Sequence, residues 1–220
     1  MCGRFFLARR ALEIAQALGL ALSPRAGEWR PRYNIAPTQD VLAVVAGPLI
    51  ESRRWGLIPH WAKDATIGNR MINARIETIA TKPSYSKPFR TSRCVVLADG
   101  YFEWRKTPSG KVPVALSLPS GGLMGFAGIW TTWRPPEGEP VDSCTIITRE
   151  AEGNAAEVHD RMPAFLPRES WEKWVAPGDM EPGELLKIAL EAKAPALRTT
   201  EVSKLVNNPR NDQPDVLKPV

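Results

Sequence analysis

The feature that most constrains this chain is a succession of short β-like runs, rich in apolar and β-branched residues, in its middle third. Gly- and Pro-containing turns separate the runs, which cover residues 93–105, 112–118, 123–133 and 141–148. Successive runs joined by short turns favour antiparallel pairing. The pattern therefore predicts a mostly antiparallel, barrel-like β-sheet.

Shorter elements are predicted on both sides of this region. Strand-like runs occupy residues 41–46, 51–58 and 198–206. Helical patterns lie at 11–18, 77–82, 152–159, 168–175 and 183–192. No internal repeat or linker-like change of composition divides the chain. We therefore expect a single α+β domain over residues 2–220, in which helices flank the sheet.

The first twenty residues superficially resemble an export signal, because Arg9 and Arg10 precede a mostly apolar stretch. Glu13 and Gln16 interrupt that stretch, and its apolar residues recur at helical spacing, so we expect an amphipathic helix instead. No run approaches the length of a membrane span, so we expect a cytoplasmic protein without a membrane partner. The net charge of +5 mildly favours a polyanionic partner.

The chain has three cysteines and two histidines. Cys94 and Cys144 lie in apolar β-like runs, so we expect both to be buried and inert. No CxxC pair is present and the histidines are far apart, so we expect neither a metal site nor a cofactor. Unpaired cysteines fit a reducing compartment.

Cys2 is different, because it directly follows the initiator methionine. Many chains begin Met-Cys by chance. Removal of Met1, however, would leave an α-amine with a pKa of about 7.7–8.0 beside a thiol with a pKa of about 8.5. Such a 1,2-aminothiol condenses with an aldehyde through a Schiff base, and the sulfur then closes a thiazolidine ring. A free N-terminal nucleophile also suits amide hydrolases, so the position alone leaves both chemistries open.

Two further segments contain candidate acid–base groups. Glu103 stands between Phe102 and Trp104 at the end of an apolar run. Its pattern alone favours a solvent-facing carboxylate, but aromatic surroundings would raise its pKa and make it a useful proton shuttle. His159 precedes an Asp-Arg pair, where it is either a surface residue or an acid–base group beside a cation that suits a phosphorylated substrate.

Two more segments contain candidate binding groups. Asn73 and Arg75 would face the same side of a strand, although an asparagine turn before a helix is an equally plausible interpretation. Trp61 follows Pro59 in WGLIPHW and would stack on a nucleic-acid base if it were exposed, whereas most tryptophans lie in the core.

Together, the segments MCGRF, PRYNIAPTQ, WGLIPHW, INARIET, LADGYFEW and VHDRMP resemble the SRAP family, the SOS-response-associated peptidases or abasic-site-processing proteins. The resemblance extends to the ending EVSKLVNNPRNDQPDVLKP. It implies a protein that binds single-stranded DNA at an abasic site and links its terminal cysteine to the ring-opened sugar aldehyde as a thiazolidine. We therefore expect a monomer that associates with the nucleoid on DNA damage.

The resemblance also implies roles for individual residues. Cys2 matches the crosslinking residue, and Asn73, Glu103 and His159 match the other active-site residues. The implied DNA-binding set comprises phosphate-holding Arg4, Arg75 and Arg161, secondary candidates Thr148, Asn34 and Lys82, and base-wedging Pro37 and Trp61. Removal of Met1 is implied, either by the protein itself or by an aminopeptidase.

Two other functions remain open at the level of the sequence. An N-terminal-nucleophile amidase or cysteine peptidase would need Cys2 but would ignore abasic DNA. A non-covalent reader of single-stranded nucleic acid would need the arginines and aromatics, and would survive loss of the thiol.

Overall fold

The computed structural model describes residues 2–220 as strands in two sheets with helices packed around them. The strands are β1 (Phe5–Leu7), β2 (Ala21–Leu22), β3 (Arg32–Ile35), β4 (Asp40–Val45), β5 (Leu49–Trp55), β6 (Asn73–Arg75), β7 (Arg93–Ala98), β8 (Gly100–Thr107), β9 (Gly110–Ser117), β10 (Met124–Trp133), β11 (Val141–Glu150), β12 (Arg161–Pro163) and β13 (Arg198–Glu201).

The larger sheet closes on itself. Its strands follow the order β12-β11-β10-β7-β4-β5-β2, and β11 also pairs with β5. This last pairing is parallel and sets Ser143 opposite Arg54. The other pairings around the ring are antiparallel: β5 with β4, β4 with β7, β7 with β10, and β10 with β11. Five strands thus form a closed barrel, which confirms the predicted antiparallel, barrel-like α+β architecture.

The smaller sheet has the order β13-β9-β8-β1-β3. The run 93–105 supplies strands to both sheets, because it breaks at Asp99 and Gly100. A Cβ on Gly100 would lie 2.4 Å from the Phe6 ring and 2.6 Å from the Leu116 oxygen, so only glycine fits this crossing. The Asp99 carboxylate accepts the Ala8 N–H at 2.8 Å and fixes the bend.

The helices lie outside the two sheets. They are α1 (Ala11–Leu18), α2 (Pro24–Gly27), α3 (Ile76–Ile79), α4 (Ser86–Thr91), α5 (Trp171–Val175) and α6 (Pro182–Glu191), with short 3₁₀ turns between them. The predicted first helix is confirmed, and its apolar face is buried through Ala11, Ile14 and Ala15.

The helix predicted at 152–159 is wrong. Only a 3₁₀ turn forms, at Gly153–Ala155, because Gly153 takes a positive φ of 55° that an α-helix does not contain. Val158 is buried beyond the turn. The chain therefore reaches His159 as irregular backbone, two residues before β12 begins.

The apolar side chains form two clusters. The main one fills the barrel and includes Cys94 and Cys144, whose burial was predicted. The second lies between the smaller sheet and the C-terminal segment, where Phe6 and Phe102 pack on Val206. No helix within residues 2–220 has the length and apolar character to cross a membrane.

Candidate functional site

Cys2 lies three residues before β1, the strand of the smaller sheet that pairs with β3 and β8. Its side chain is fully buried and belongs to the barrel cluster. Two contacts fix the backbone around it: Asn73 Nδ2 donates to the Cys2 carbonyl oxygen at 2.7 Å, and the Phe102 N–H donates to the Arg4 oxygen at 2.8 Å. Because β6 pairs with β11 at Asn73 and Ile146, the amide that holds Cys2 is itself anchored in the barrel.

β8 brings Glu103 to the same place. Side chains alternate along this strand, so Tyr101 and Glu103 face one side while Phe102 faces the second cluster. Glu103 is only 4% exposed, so the solvent-facing interpretation of its pattern is wrong. Burial raises the pKa of the Glu103 carboxyl above its ordinary value, and the nearby His159 partly offsets that rise.

The thiol of Cys2 is held in its protonated form. Burial, and after it the negative charge of Glu103, raise the pKa of the Cys2 thiol far above its usual range. The same surroundings raise the pKa of the Tyr101 hydroxyl, where burial is again the largest cause and Cys2 and Glu103 add to it. Cys2, Tyr101 and Glu103 therefore form one electrostatically coupled group in which thiolate formation is disfavoured.

His159 lies near this group, on the segment that leads into β12. Its Nδ1 accepts the Arg161 backbone N–H at 3.0 Å and lies 2.7 Å from the carboxylate of the exposed Asp160. The first contact requires a bare Nδ1, so in the neutral imidazole the proton is on Nε2. The contact with Asp160 suits the protonated ring. His159 thus has a donor at Nε2 in both states.

Arg161 is the first residue of β12 and is tied to two other elements. Its guanidinium forms a two-pronged contact with the Glu77 carboxylate at 2.7 and 3.0 Å. The same group donates to the backbone oxygen of Thr148 at 2.7 Å. Thr148 is fully buried and lies opposite Arg75 in the parallel β11–β6 pairing. Arg75 and Arg161 therefore lie on two strands, β6 and β12, that both pair with β11.

A groove of about 600 Å³ runs beside these residues. Its charged lining is dominated by cations: Arg75, Arg105, Lys106 and Arg161, against the acids Glu157 and Asp160. Trp104 and His159 supply aromatic walls. A basic groove with aromatic walls is suited to a single strand of nucleic acid.

The C-terminal segment braces Arg4. Arg4 Nη1 donates to Asn34 Oδ1 at 2.8 Å and to the Val206 oxygen at 2.7 Å. Asn34 is fully buried, and its Nδ2 lies within hydrogen-bond distance of the backbone oxygens of Val206, Asn208 and Asn211, at 2.8–3.2 Å. The amide of Asn34 therefore holds the tail against β3, and a direct contact of Asn34 with DNA stays a prediction.

Three further candidates lie in turns or loops. Trp61 is 52% exposed, on the loop between β5 and the 3₁₀ turn at Ala65–Arg70. Pro37 is half-buried and precedes Thr38, whose φ of 75° marks a strained, fixed turn. Lys82 is exposed between α3 and α4, and no contact brings it to the groove. The roles in DNA binding of these residues and of the buried Thr148 stay predictions.

Sequence reasoning missed several residues of the site. Tyr101 was detectable, because it shares the parity of Glu103 on the same strand. Trp104 donates from Nε1 to Asn207 Oδ1 at 2.7 Å and lies 5.9 Å from the Arg4 guanidinium, a contact that no local pattern reveals. No cluster of three potential metal ligands occurs in the described part of the chain.

Comparison with known proteins identifies the family. The family described as SOS response associated peptidase (SRAP) matches residues 1–209. The chain belongs to the SRAP family. The abasic site processing protein YoqW of Bacillus subtilis is 38% identical over 99% of both chains. The abasic site processing protein HMCES of Gallus gallus is 32% identical over 100% of this chain and 78% of its own.

Solved structures share the fold. A protein from Bacteroides thetaiotaomicron superimposes with a TM-score of 0.86 at 23% identity and covers 100% of both chains. A phage-related protein from Bordetella bronchiseptica gives a TM-score of 0.69 at 28% identity and covers 92% of this chain and 95% of its own. The resemblance found in the sequence is thereby confirmed at the level of family and fold.

Proposed function

We propose that this SRAP protein binds single-stranded DNA at an abasic site and forms a thiazolidine crosslink between Cys2 and the sugar aldehyde. The observation that carries the proposal is the grouping of Cys2, Asn73, Glu103 and His159 beside a basic groove. Removal of Met1 is the first step, because it frees the α-amine of Cys2. The peptidase in the family description fits that step, although an aminopeptidase suffices chemically.

The amine attacks before the sulfur. The raised pKa of the Cys2 thiol keeps sulfur protonated, so the α-amine is the available nucleophile. The amine nitrogen adds to the aldehyde carbon to give a carbinolamine, and loss of one water gives the Schiff base. Glu103, whose pKa is raised by burial, takes a proton from the attacking amine and gives it to the carbonyl oxygen, and a second transfer of the same kind releases the hydroxyl as water.

Ring closure then consumes the thiol. The sulfur adds to the imine carbon while its proton passes to the nitrogen, so that the C=N bond becomes a C–N single bond and a C–S bond forms. In the overall reaction, one amine, one thiol and one aldehyde give one thiazolidine and one water. A Schiff base left open would permit strand cleavage by β-elimination, and closure of the ring prevents it.

His159 acts earlier, on the closed sugar. The acid is the protonated imidazole, in which Nδ1–H faces the Asp160 carboxylate and Nε2 carries the proton that is donated. Donation of the Nε2 proton to the sugar ring oxygen breaks the bond between that oxygen and C1, while the C1 hydroxyl gives its proton to water and becomes the aldehyde oxygen. Asn73 holds the Cys2 carbonyl, so that the terminus keeps one orientation during both additions.

The groove provides the binding that precedes chemistry. Arg75 and Arg161 line it and would contact phosphates, while Arg4 is braced two residues from the nucleophile. Phosphate contacts of this kind make affinity depend on salt but not on sequence. Trp61 and Pro37 would support bases beside the lesion.

Denaturing electrophoresis tests the proposal. Tag-free protein is mixed with single-stranded oligonucleotides that contain either an abasic site or an intact base, and only the abasic strand is expected to give a shifted band. Cys2→Ala should lose that band while keeping salt-sensitive binding to intact strands. Cys2→Ser should give a labile adduct that borohydride traps, because it keeps the amine but cannot close a sulfur ring. A shifted band with Cys2→Ala would overturn the proposal.

An uncleaved N-terminal extension separates the aminothiol mechanism from chemistry at the thiol alone. The extension converts the amine to an amide, whose nitrogen is not nucleophilic. The thiol alone would give a reversible hemithioacetal that denaturation releases. Extended protein, verified intact by mass spectrometry, should therefore form no stable crosslink, and an undiminished rate would redirect attention to another nucleophile.

A further inference from the structure

Arg161 has few hydrogen-bond donors left for DNA. Of the five N–H groups of a guanidinium, three are used by Glu77 and by the Thr148 oxygen. The Arg161 Nε is buried and has no hydrogen-bond partner among residues 2–220. Two N–H groups therefore remain, and since the one on Nε is buried, a single N–H on Nη1 is left to face DNA. A phosphate needs two parallel donors to make the strong, bidentate contact that arginine offers.

Glu77 holds the guanidinium from outside the groove. Arg161 lines the basic groove, whereas Glu77 lines a neighbouring depression with Glu150 and Glu152. The Glu77 side chain is 51% exposed and that of Arg161 is 14% exposed, so the carboxylate is the more mobile partner. The hydrogen bond from Arg161 is the main reason that the pKa of Glu77 lies below its usual value, so Glu77 is charged at neutral pH.

We propose that Glu77 is an internal counterion that competes with DNA phosphate for Arg161. When a strand enters the groove, its phosphodiester takes over the donors that the carboxylate occupied, and Glu77 turns to solvent. Binding then exchanges one anion for another at Arg161, which lowers the affinity for any strand. This inference rests on the proposed binding of DNA in the groove.

The exchange has a consequence for specificity. Competition from Glu77 weakens the initial binding of undamaged and abasic strands equally. Only the abasic strand then gains a covalent bond to the protein. A weak first encounter lets the protein leave intact DNA, while reaction retains it at the lesion. Glu77 would thus limit the time spent on undamaged strands.

The test measures affinity for an intact single-stranded oligonucleotide by fluorescence anisotropy at fixed salt, which excludes the covalent step. Glu77→Gln should bind about three- to fivefold more tightly than the unchanged protein, the size expected for removal of a partly exposed ion pair that competes with the ligand. Glu77→Ala should bind more tightly by a similar factor. It controls for any new contact that the glutamine side chain makes. Melting temperatures establish that both variants fold.

Glu157→Gln is the matched control. It removes one negative charge from the groove itself, without the contact to Arg161. General electrostatics predicts at least as large a gain for Glu157→Gln as for Glu77→Gln, whereas competition for Arg161 predicts a larger gain for Glu77→Gln. In an Arg161→Ala background the gain from Glu77→Gln should fall to that of the control.

Weaker binding by Glu77→Gln would show that Glu77 aligns Arg161 instead of competing for it, and would overturn the inference. A gain equal to that of Glu157→Gln would also overturn it. Crosslinking of the abasic oligonucleotide by the unchanged protein separates this failure from failure of the proposed function. If that band forms while Glu77→Gln brings no gain, only the competition is excluded; if neither binding nor crosslinking occurs, the proposed function fails.

Discussion

Asn73 donates a hydrogen bond of 2.7 Å from its side-chain amide to the backbone oxygen of Cys2, 71 residues earlier in the chain. The Oδ1 atom of the same amide is buried and has no hydrogen-bond partner within residues 2–220. A buried acceptor without a donor is costly, and such atoms are retained where a substrate or a reacting group satisfies them. In the proposed reaction, the α-amine of Cys2 or a sugar hydroxyl is the suitable donor.

Asn73→Ala is therefore expected to slow crosslinking about 10²-fold, the order expected when a reacting group loses its fixed position. Binding to intact single strands should stay the same, because Asn73 does not line the groove. Single-turnover gel assays give the rate, and anisotropy gives the affinity. Equal losses in both measurements would contradict a positioning role.

Glu103→Gln is expected to raise the stability of the protein at neutral pH and to lower its crosslinking activity. Burial raises the pKa of Glu103 above its unfolded value, so the folded state binds the proton more tightly than the unfolded state does. Stability of the unchanged protein should therefore fall as pH rises from the unfolded pKa through the folded pKa. Glutamine does not titrate, so the variant should be the more stable protein above that window, and its advantage should shrink on acidification.

Activity should change in the opposite direction. Without a carboxyl to exchange protons, Glu103→Gln should crosslink about 10²-fold more slowly at neutral pH. Urea melts across a pH series and crosslinking rates at each pH provide the two measurements. A variant that is both less stable and fully active would contradict the assigned role.

The sequence predicts much of the barrel because its determinants are local. Composition and turns reveal the strands at residues 112–118 and 123–133, and each strand pairs with a strand adjacent in the sequence, β9 with β8 and β10 with β11. The division of the run 93–105 into two strands is harder to predict, because its break at Gly100 depends on the close approach of Phe6 and Leu116 from other strands. Its division between two sheets is a tertiary effect that periodicity does not contain.

The features of the site likewise fall into those that local sequence predicts and those that depend on distant contacts. Side-chain parity puts Tyr101 and Glu103 on one face, but whether that face is solvent or core depends on how the smaller sheet packs against the barrel. The hydrogen bonds from Asn34 to the tail join residues more than 170 positions apart in the chain, and the ion pair of Arg161 with Glu77 joins residues 84 positions apart. Contacts at such separations leave no signal in a single sequence, so the sequence alone could not distinguish a brace from a DNA contact.

Asn34→Ala is expected to destabilise the fold by about 3 kcal/mol, because Arg4 loses one of its two acceptors and the backbone oxygens of Val206 and Asn211 lose the amide that donates to them. Chemical denaturation measures the loss, and hydrogen exchange should show it first at residues 203–212. Gln213→Ala, which truncates an exposed amide in the same tail, is the control and should change stability by less than about 0.5 kcal/mol. Matching effects from the two variants would show that Asn34 is not the brace.

Trp61→Ala tests the exposed loop as a base platform. Because the indole is 52% exposed, its loss should leave the melting temperature nearly unchanged. A stacked base contributes about 1–3 kcal/mol, so affinity for intact single strands should fall on the order of tenfold. Leu12→Ala removes another exposed apolar side chain, from α1, and should leave affinity unchanged. The salt dependence should be the same in Trp61→Ala as in the unchanged protein, because stacking releases no counterions. If affinity is unaffected, or if the salt slope changes instead, Trp61 does not stack on a base.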